Sequence, residues 1–126
     1  MDDLNIAPTQ STPAVRTGHA AGVMELRGDS YPENAFQFFE PVYRWVDDFL
    51  TAGAGPLLLK LHLVYMNTSS VKSMMDIFDR VEDAHKAGHE VALKWYYNPE
   101  NERVAELAAE FKEDYAFPFE ILPEAS

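Results

Sequence analysis

Between Pro56 and Met66 the chain alternates. Leu57, Leu59, Leu61, Leu63 and Tyr65 fall on one face, and Leu58, Lys60, His62, Val64 and Met66 on the other. A period of two marks a strand, and mostly apolar residues on both faces predict a central strand covered on two sides. Glu90 to Tyr96 alternates in the same way, with Val91, Leu93 and Trp95 on one face. Gly22 to Gly28 reads as a short strand between glycines. Leu4-Asn5-Ile6 and Val15 point to a short edge strand that can form a hairpin with it. Pro8 and Pro13 exclude a central place for that piece, because proline gives the ladder no N–H. Pro118 likewise makes the apolar run Phe117 to Leu122 a short or edge strand.

Three stretches carry apolar stripes at helical spacing. The first is Ala35, Phe39, Val42, Val46, Phe49 and Leu50; the second is Val71, Met74, Met75, Phe78 and Val81; the third is Val104, Leu107, Ala108 and Phe111. Ser30 and Glu33 have capping-box spacing and Pro32 falls in a first turn, so a helix is predicted from near Tyr31 with Ser30 as its cap. Asn67-Thr68-Ser69-Ser70 offers several caps for a second helix near Ser69. Asn98-Pro99 reads as cap and first residue of a third. Gly53 and Gly55 end the first helix in a turn, and Gly88 ends the second. Pro41 removes one backbone bond, to the Gln37 carbonyl, and predicts a kink or a restart. The order β-β-α-β-α-β-α-β implies an α/β fold, with a mixed sheet of about four to five strands and three main helices joined by right-handed crossovers. The length of 126 residues predicts a single domain over 1–126, with residues 1–7 and 123–126 as loose termini.

Charge narrows the partners. The chain holds 21 acidic against 10 basic residues, a formal net charge of -11. Such a field repels nucleic acid and anionic lipid heads and favours a basic protein surface, although acidity also serves solubility. There is no cysteine, so disulfides are excluded and a zinc site would need His and carboxylate alone. The acidic start Met1-Asp2-Asp3-Leu4 does not resemble a secretory signal. The apolar runs are too short to span a membrane. A cytoplasmic protein is expected.

Catalytic patterns are absent. His85 and His89 stand four apart, but Gly88 interrupts the helix between them and no third ligand follows, so no metal site is expected. His62 reads as a core histidine with one satisfied hydrogen bond. Glu106, Glu110, Glu113 and Asp114 fit a solvated helix face. No phosphate-binding loop, dinucleotide fingerprint or nucleophile elbow occurs, so neither an enzyme nor a cofactor is expected. Phe36, Phe38, Tyr43 and Trp45 fall partly outside the first stripe. They mark either a partner surface or a second buried face turned inward by Pro41.

The sharpest feature is Asn67-Thr68-Ser69-Ser70, three hydroxyls between the carboxyl end of a buried strand and a helix start. Open α/β sheets use that edge for ligands, and the free N–H groups of a helix start favour anions. A phosphate there changes the surface a partner meets. Plain N-capping accounts for the same residues.

Three separated motifs carry a family resemblance: Gly28-Asp29-Ser30-Tyr31-Pro32-Glu33-Asn34, then Tyr65-Met66-Asn67-Thr68-Ser69-Ser70 leading into Met74-Met75-Asp76-Ile77-Phe78, and Asn101-Glu102-Arg103-Val104-Ala105-Glu106-Leu107. They resemble the SiaC family of bacterial regulatory phosphoproteins from about Thr9 to Phe119. The family is similar in architecture to STAS domains, the fold of anti-sigma-factor antagonists, which carry a phosphorylatable serine in an Asp-Ser-Ser-Gly segment at the same junction. Here Asn67 stands for the acid and the glycine is missing. The resemblance implies that Thr68 is the phosphorylated residue, with Ser69 and Ser70 as alternatives. Asn67, Ser69, Tyr31, Glu33 and Asn34 become partner-binding candidates. It further implies a kinase of the anti-sigma-factor-kinase type, a PP2C-type phosphatase, and a diguanylate cyclase activated by the unphosphorylated form, which links the protein to cyclic-di-GMP and biofilm signalling. A small-ligand sensor, or a partner switch with another target, is the alternative.

Overall fold

The computed structural model describes residues 2–53 and 55–124. Among these, the chain order is β1 (Asn5–Ile6), β2 (Ala14–Gly18), β3 (Val23–Ser30), α1 (Ala35–Ala52), β4 (Leu57–Met66), α2 (Thr68–Lys86), β5 (Val91–Tyr97), α3 (Glu102–Glu113) and β6 (Phe119–Pro123). The strands form one six-stranded sheet in sequence order, and β4 lies inside it. The first three strands pair antiparallel, and β3 to β6 pair parallel. The mixed α/β fold with three helices is the one predicted; the sheet holds more strands than expected because β1 and β2 are separate pieces. Pro8 and Pro13 lie between them, where no ladder needs their N–H. Gly22 is obligatory in the β2–β3 connection. Its φ is 70°, and a Cβ there would run into the Pro56 carbonyl oxygen.

The register explains the core. Leu59 lies between Met24 and Leu93, and Leu61 between Leu26 and Trp95. These side chains share one face with Val15 and Phe119, and all are buried. Fully burying each leucine stabilises the fold by roughly 1.5–3 kcal/mol. Phe39, Val42, Val46 and Phe49 of α1 and Met74, Ile77, Phe78 and Val81 of α2 close over that face in the same core.

The sequential parallel order sends each crossover helix to the same side of the sheet, because right-handed connections that do not reverse direction stack there. The expectation that β4 is covered on two sides is therefore corrected. Its second face, Leu58, Lys60 and His62, is only half-buried, and Val64 is exposed. His62 is packed on this second face, with its side chain only 10% exposed, but the hydrogen bond expected of it is missing: Nδ1 is buried without a hydrogen-bond partner among the described residues. Its ring stacks on Tyr96 at 4.8 Å, with Nδ1 3.1 Å from a Glu124 carboxylate oxygen and Nε2 3.6 Å from Glu25.

Helix starts also differ from the sequence pattern. Helix α1 begins at Ala35 with Asn34 as its cap, not at Tyr31 with Ser30. Ser30 is still in the strand and fully buried. Helix α3 begins at Glu102 rather than Pro99, because Asn98 closes a turn by accepting from Glu100 N and Asn101 N. Helix α1 runs through Pro41 without a restart, and Pro41 is exposed. The ends of the described chain carry contacts: Asp3 accepts from Thr17 Oγ1, His19 N and Trp45 Nε1, β1 pairs with β2, and Pro123 pairs with Tyr97. Residues 1, 125 and 126 of the expected loose termini, and Ala54 of the expected turn, lie outside the described residues.

Candidate functional site

Two strand-to-helix loops run side by side at the carboxyl edge of the sheet. The Asn67 N–H donates to the Ser30 carbonyl at 3.0 Å, which ties the end of β4 to the end of β3. The Tyr65 N–H adds a bond to Asp29 Oδ1 at 3.2 Å. Segments 31–34 and 67–70 thus start from adjacent points.

Asn67 is the cap of α2. Its Oδ1 accepts from Ser70 N at 2.9 Å and from Ser69 Oγ at 3.2 Å, and its carbonyl accepts from Val71 N. Thr68 is the first residue of α2 and is exposed; Ser69 is exposed, and Ser70 is fully buried. Ser70 Oγ lies 2.7 Å from Ser30 Oγ. Of the three hydroxyls, those of Thr68 and Ser69 are open to a modifying enzyme, and that of Ser70 is locked inside. The first-turn N–H groups of Thr68 and Ser69 have no acceptor within a helix, and no acidic residue occupies the first turn of α1 or α2.

Between the first turns of α1 and α2 lies a groove of about 370 Å³. Glu33, Asn34 and Ser69, three of the predicted partner-binding residues, line it, together with Phe36, Lys72 and Asp76. Tyr43 and Ser73 also line it and are both buried. Tyr31, Asn67 and Thr68 lie outside the lining. Tyr31 instead packs edge-on against Tyr65, with ring centroids 5.8 Å apart. The loops therefore bring all the predicted residues to one edge of the sheet, but only Glu33, Asn34 and Ser69 into one groove.

Exposed apolar side chains surround this edge. Phe36 is 67% exposed, Tyr65 55% and Met75 42%. Tyr65 and Met75 belong to the predicted core stripes, and their exposure is what the sequence pattern misses. Tyr65 lies beyond Leu61, the last β4 residue paired with β5, and Met75 faces outward from α2 beside Leu107. Of the four aromatics outside the first stripe, Tyr43 and Trp45 are buried and Phe38 is half-buried, leaving Phe36 at the surface.

Burial raises the Tyr43 phenol above its usual pKa and Asp76 adds to this; Ser73 and Arg80 oppose it. The Ser73 hydroxyl is close, yet the Tyr43 hydroxyl has no hydrogen-bond partner among the described residues. No group of three or more His, Asp or Glu among the described residues could hold a metal ion. No helix among them is long and apolar enough to cross a membrane.

A model of the SiaC family regulatory phosphoprotein matches residues 6–124. An uncharacterised protein of Pseudomonas aeruginosa (strain UCBPP-PA14) is 54% identical over 121 residues, covering 96% of each chain. The solved structure of SiaC of Pseudomonas aeruginosa superposes with a TM-score of 0.93 at 52% identity, over 98% of this chain and 100% of that one. A crystal structure of the diguanylate cyclase SiaD in complex with its activator SiaC, from the same organism, matches with a TM-score of 0.94 at 53% identity, over 97% of this chain and 100% of that one.

Proposed function

This chain belongs to the SiaC family of regulatory phosphoproteins, and from that premise we propose that it is a non-catalytic, cytoplasmic switch that binds and activates a diguanylate cyclase when unphosphorylated. The observation that carries this reading is the likeness to a SiaC chain solved as the activator in a complex with a cyclase, over nearly the full length of both. Thr68 is the proposed phosphorylation site. It is exposed at the first position of α2, so a kinase can reach its hydroxyl. The helix N-terminus then tolerates the anion. A kinase of the anti-sigma-factor-kinase type adds the phosphate and a PP2C-type phosphatase removes it. The partner surface is formed by Tyr31, Glu33, Asn34, Asn67 and Ser69 at the same sheet edge. A doubly charged phosphate in a docked interface adds desolvation cost and repulsion, so phosphorylation releases the cyclase.

The test is cyclase affinity and cyclase activation measured with the unmodified chain, the stoichiometrically phosphorylated chain and Thr68→Ala, at one salt concentration. The unmodified chain and Thr68→Ala bind and activate; the phosphorylated chain does not. Equal affinity for all three would overturn the switch. A phosphate that maps only to Ser69 would keep the switch and move the residue.

A further inference from the structure

The parallel strands β3 to β6 carry helices on one face only, so among the described residues no helix covers the other. Parallel strands occur almost only in sheets covered on both faces. The residues of this second face are those of a covered one in part: Leu58, Ala92 and Tyr96 are apolar or aromatic and half-buried, and Val64 is 54% exposed.

The charges on the face say what would cover it. Lys60 and Lys94 are register partners on β4 and β5, strands whose axes lie about 4.8 Å apart. Two residues further along each strand stand His62 and Tyr96, whose rings stack on the same face. Both lysines are half-buried, and neither forms an ion pair among the described residues. Like charges side by side on neighbouring strands are destabilising. The carboxylates at hand do not relieve them. Glu25, the register partner of Lys60, lies 3.6 Å from His62 Nε2, and Glu124 lies 3.1 Å from His62 Nδ1 and 3.7 Å from Arg27. Glu120, the register partner of Lys94, is exposed and pairs with neither lysine. The lysine pair is thus a cationic centre in a chain of net charge -11, and its complement is a pair of carboxylates from outside.

The shape of the face and the symmetry of the charges narrow the source. A small ligand needs a concave site, and the cavity of about 290 Å³ at Arg16, Glu25 and Arg27 does not reach either lysine. A second copy of this chain does not fit, because a two-fold axis through the pair would set Lys60 and Lys94 against the same two residues of the other copy. Phosphate-rich polymers are repelled by the net charge.

We propose that the second face of β4 and β5 docks an amphipathic helix of a partner protein, with its apolar stripe on Leu58, Ala92 and Tyr96 and its carboxylates on the ammonium groups of Lys60 and Lys94. The helix supplies the layer that parallel strands ordinarily have, and the lysine stems lie along it while their charged ends meet the carboxylates. This surface is separate from the switch edge, since Lys60 stands about 20 Å before the end of β4 at Met66. It does not rest on the cyclase reading.

The test places the photoreactive residue p-benzoylphenylalanine at Ala92 of the full chain, in its host cell, and sequences the peptide that becomes cross-linked. A partner segment with apolar residues at helical spacing flanked by Asp or Glu is expected. The cross-link yield should fall at least about 10-fold in Lys60→Gln/Lys94→Gln, the loss for two charge-assisted contacts, and return in Lys60→Arg/Lys94→Arg. The segment, made as a peptide, should bind the wild-type chain in a fluorescence anisotropy titration, more weakly as salt rises. The melting temperature of Lys60→Gln/Lys94→Gln should hold or rise, because the repulsion between the two charges is gone, so a lost cross-link is then not a folding defect. No cross-link, a cross-link to another copy of this chain, a segment without carboxylates, or a yield indifferent to the glutamine pair overturns the proposal. So does a glutamine variant that melts well below the wild type, since the lysines would then serve the fold.

Discussion

Ser30 Oγ and Ser70 Oγ lie 2.7 Å apart with both residues fully buried, 40 positions apart in the chain. This contact joins the end of β3 to the first turn of α2, directly beneath the exposed Thr68 and Ser69. Replacing either serine by alanine strands the other hydroxyl in a dry site. Ser30→Ala is expected to cost about 1–3 kcal/mol, the penalty for an unsatisfied buried group, and Ser30→Ala/Ser70→Ala less than the sum of the two single changes. Urea midpoints of the four proteins check this. Additive losses would mean that the hydroxyls do not depend on each other.

The same pair shows where sequence reading stops. The spacing of Ser30 and Glu33 before an apolar stripe satisfies the capping-box pattern, but so does Asn34 with its bond from Gln37 N at 3.0 Å. A local pattern cannot choose between them, because Ser30's true partner is brought in by the parallel pairing of β3 with β4. Conversely, the alternation of Leu57, Leu59, Leu61 and Leu63 was enough to place β4 inside the sheet, since period and burial coincide there. That β4 has a half-open second face was not legible. It follows from strand order, which decides the side on which each helix lands. The helix cap at Asn67 was legible because cap chemistry is local. The groove with Tyr43 was not, because a tyrosine one position beyond a helix stripe looks like any other until α2 packs on it.

Asn34, not Ser30, should behave as the cap of α1. Asn34→Ala is expected to cost about 1 kcal/mol, with the loss confined to that helix end. Hydrogen exchange of the Gln37 amide is the local check: it should quicken in Asn34→Ala more than in Ser30→Ala.

Glu82 holds the connection between α3 and β6. Both its carboxylate oxygens lie 3.0 Å from Ala116 N, and Oε1 lies 3.1 Å from Phe117 N. These backbone donors belong to neither a helix nor a strand, so the side chain replaces their missing partners. Glu82→Ala is expected to destabilise by about 1–3 kcal/mol, and Glu82→Gln by less, because the amide keeps one acceptor. A chemical-denaturation series on the two variants tests the order.

High pH should weaken the fold through its tyrosines. Burial raises the Tyr115 phenol well above its usual value, aided by its hydrogen bond to Asp79 at 3.0 Å and by nearby carboxylates. Burial raises Tyr43 as well. An acid whose pKa is higher in the folded than in the unfolded chain stays protonated in the fold while the unfolded chain releases its proton. Stability is then complete below the ordinary tyrosine pKa of about 10 and falls as pH rises beyond it. Melting temperatures between pH 8 and 11 should show that decline, and Tyr115→Phe should flatten it. A Tyr115→Phe curve parallel to the wild type would mean that Tyr115 does not contribute.

Phosphorylation of Thr68 is expected to leave the fold intact and change only what docks on it. The hydroxyl is exposed, and the α2 first turn contains no carboxylate to repel a phosphate. Its N–H groups and dipole favour an anion by about 0.3–1 kcal/mol at an exposed helix start. Lys72, one turn along α2, adds a cation within reach of position 68, since residues four apart share a helix face. The melting temperature of the phosphorylated chain should therefore match or slightly exceed that of the unmodified chain, and the excess should shrink in Lys72→Gln and at high salt. Thr68→Asp should reproduce the effect only in part, because a single carboxylate carries less charge and fewer acceptor oxygens than phosphate. Loss of cyclase binding without loss of melting temperature is the signature of a surface switch. A phosphorylated chain that melts well below the unmodified one would instead place the effect in the fold, with the strain passed through Ser70 and Ser30 to the end of β3.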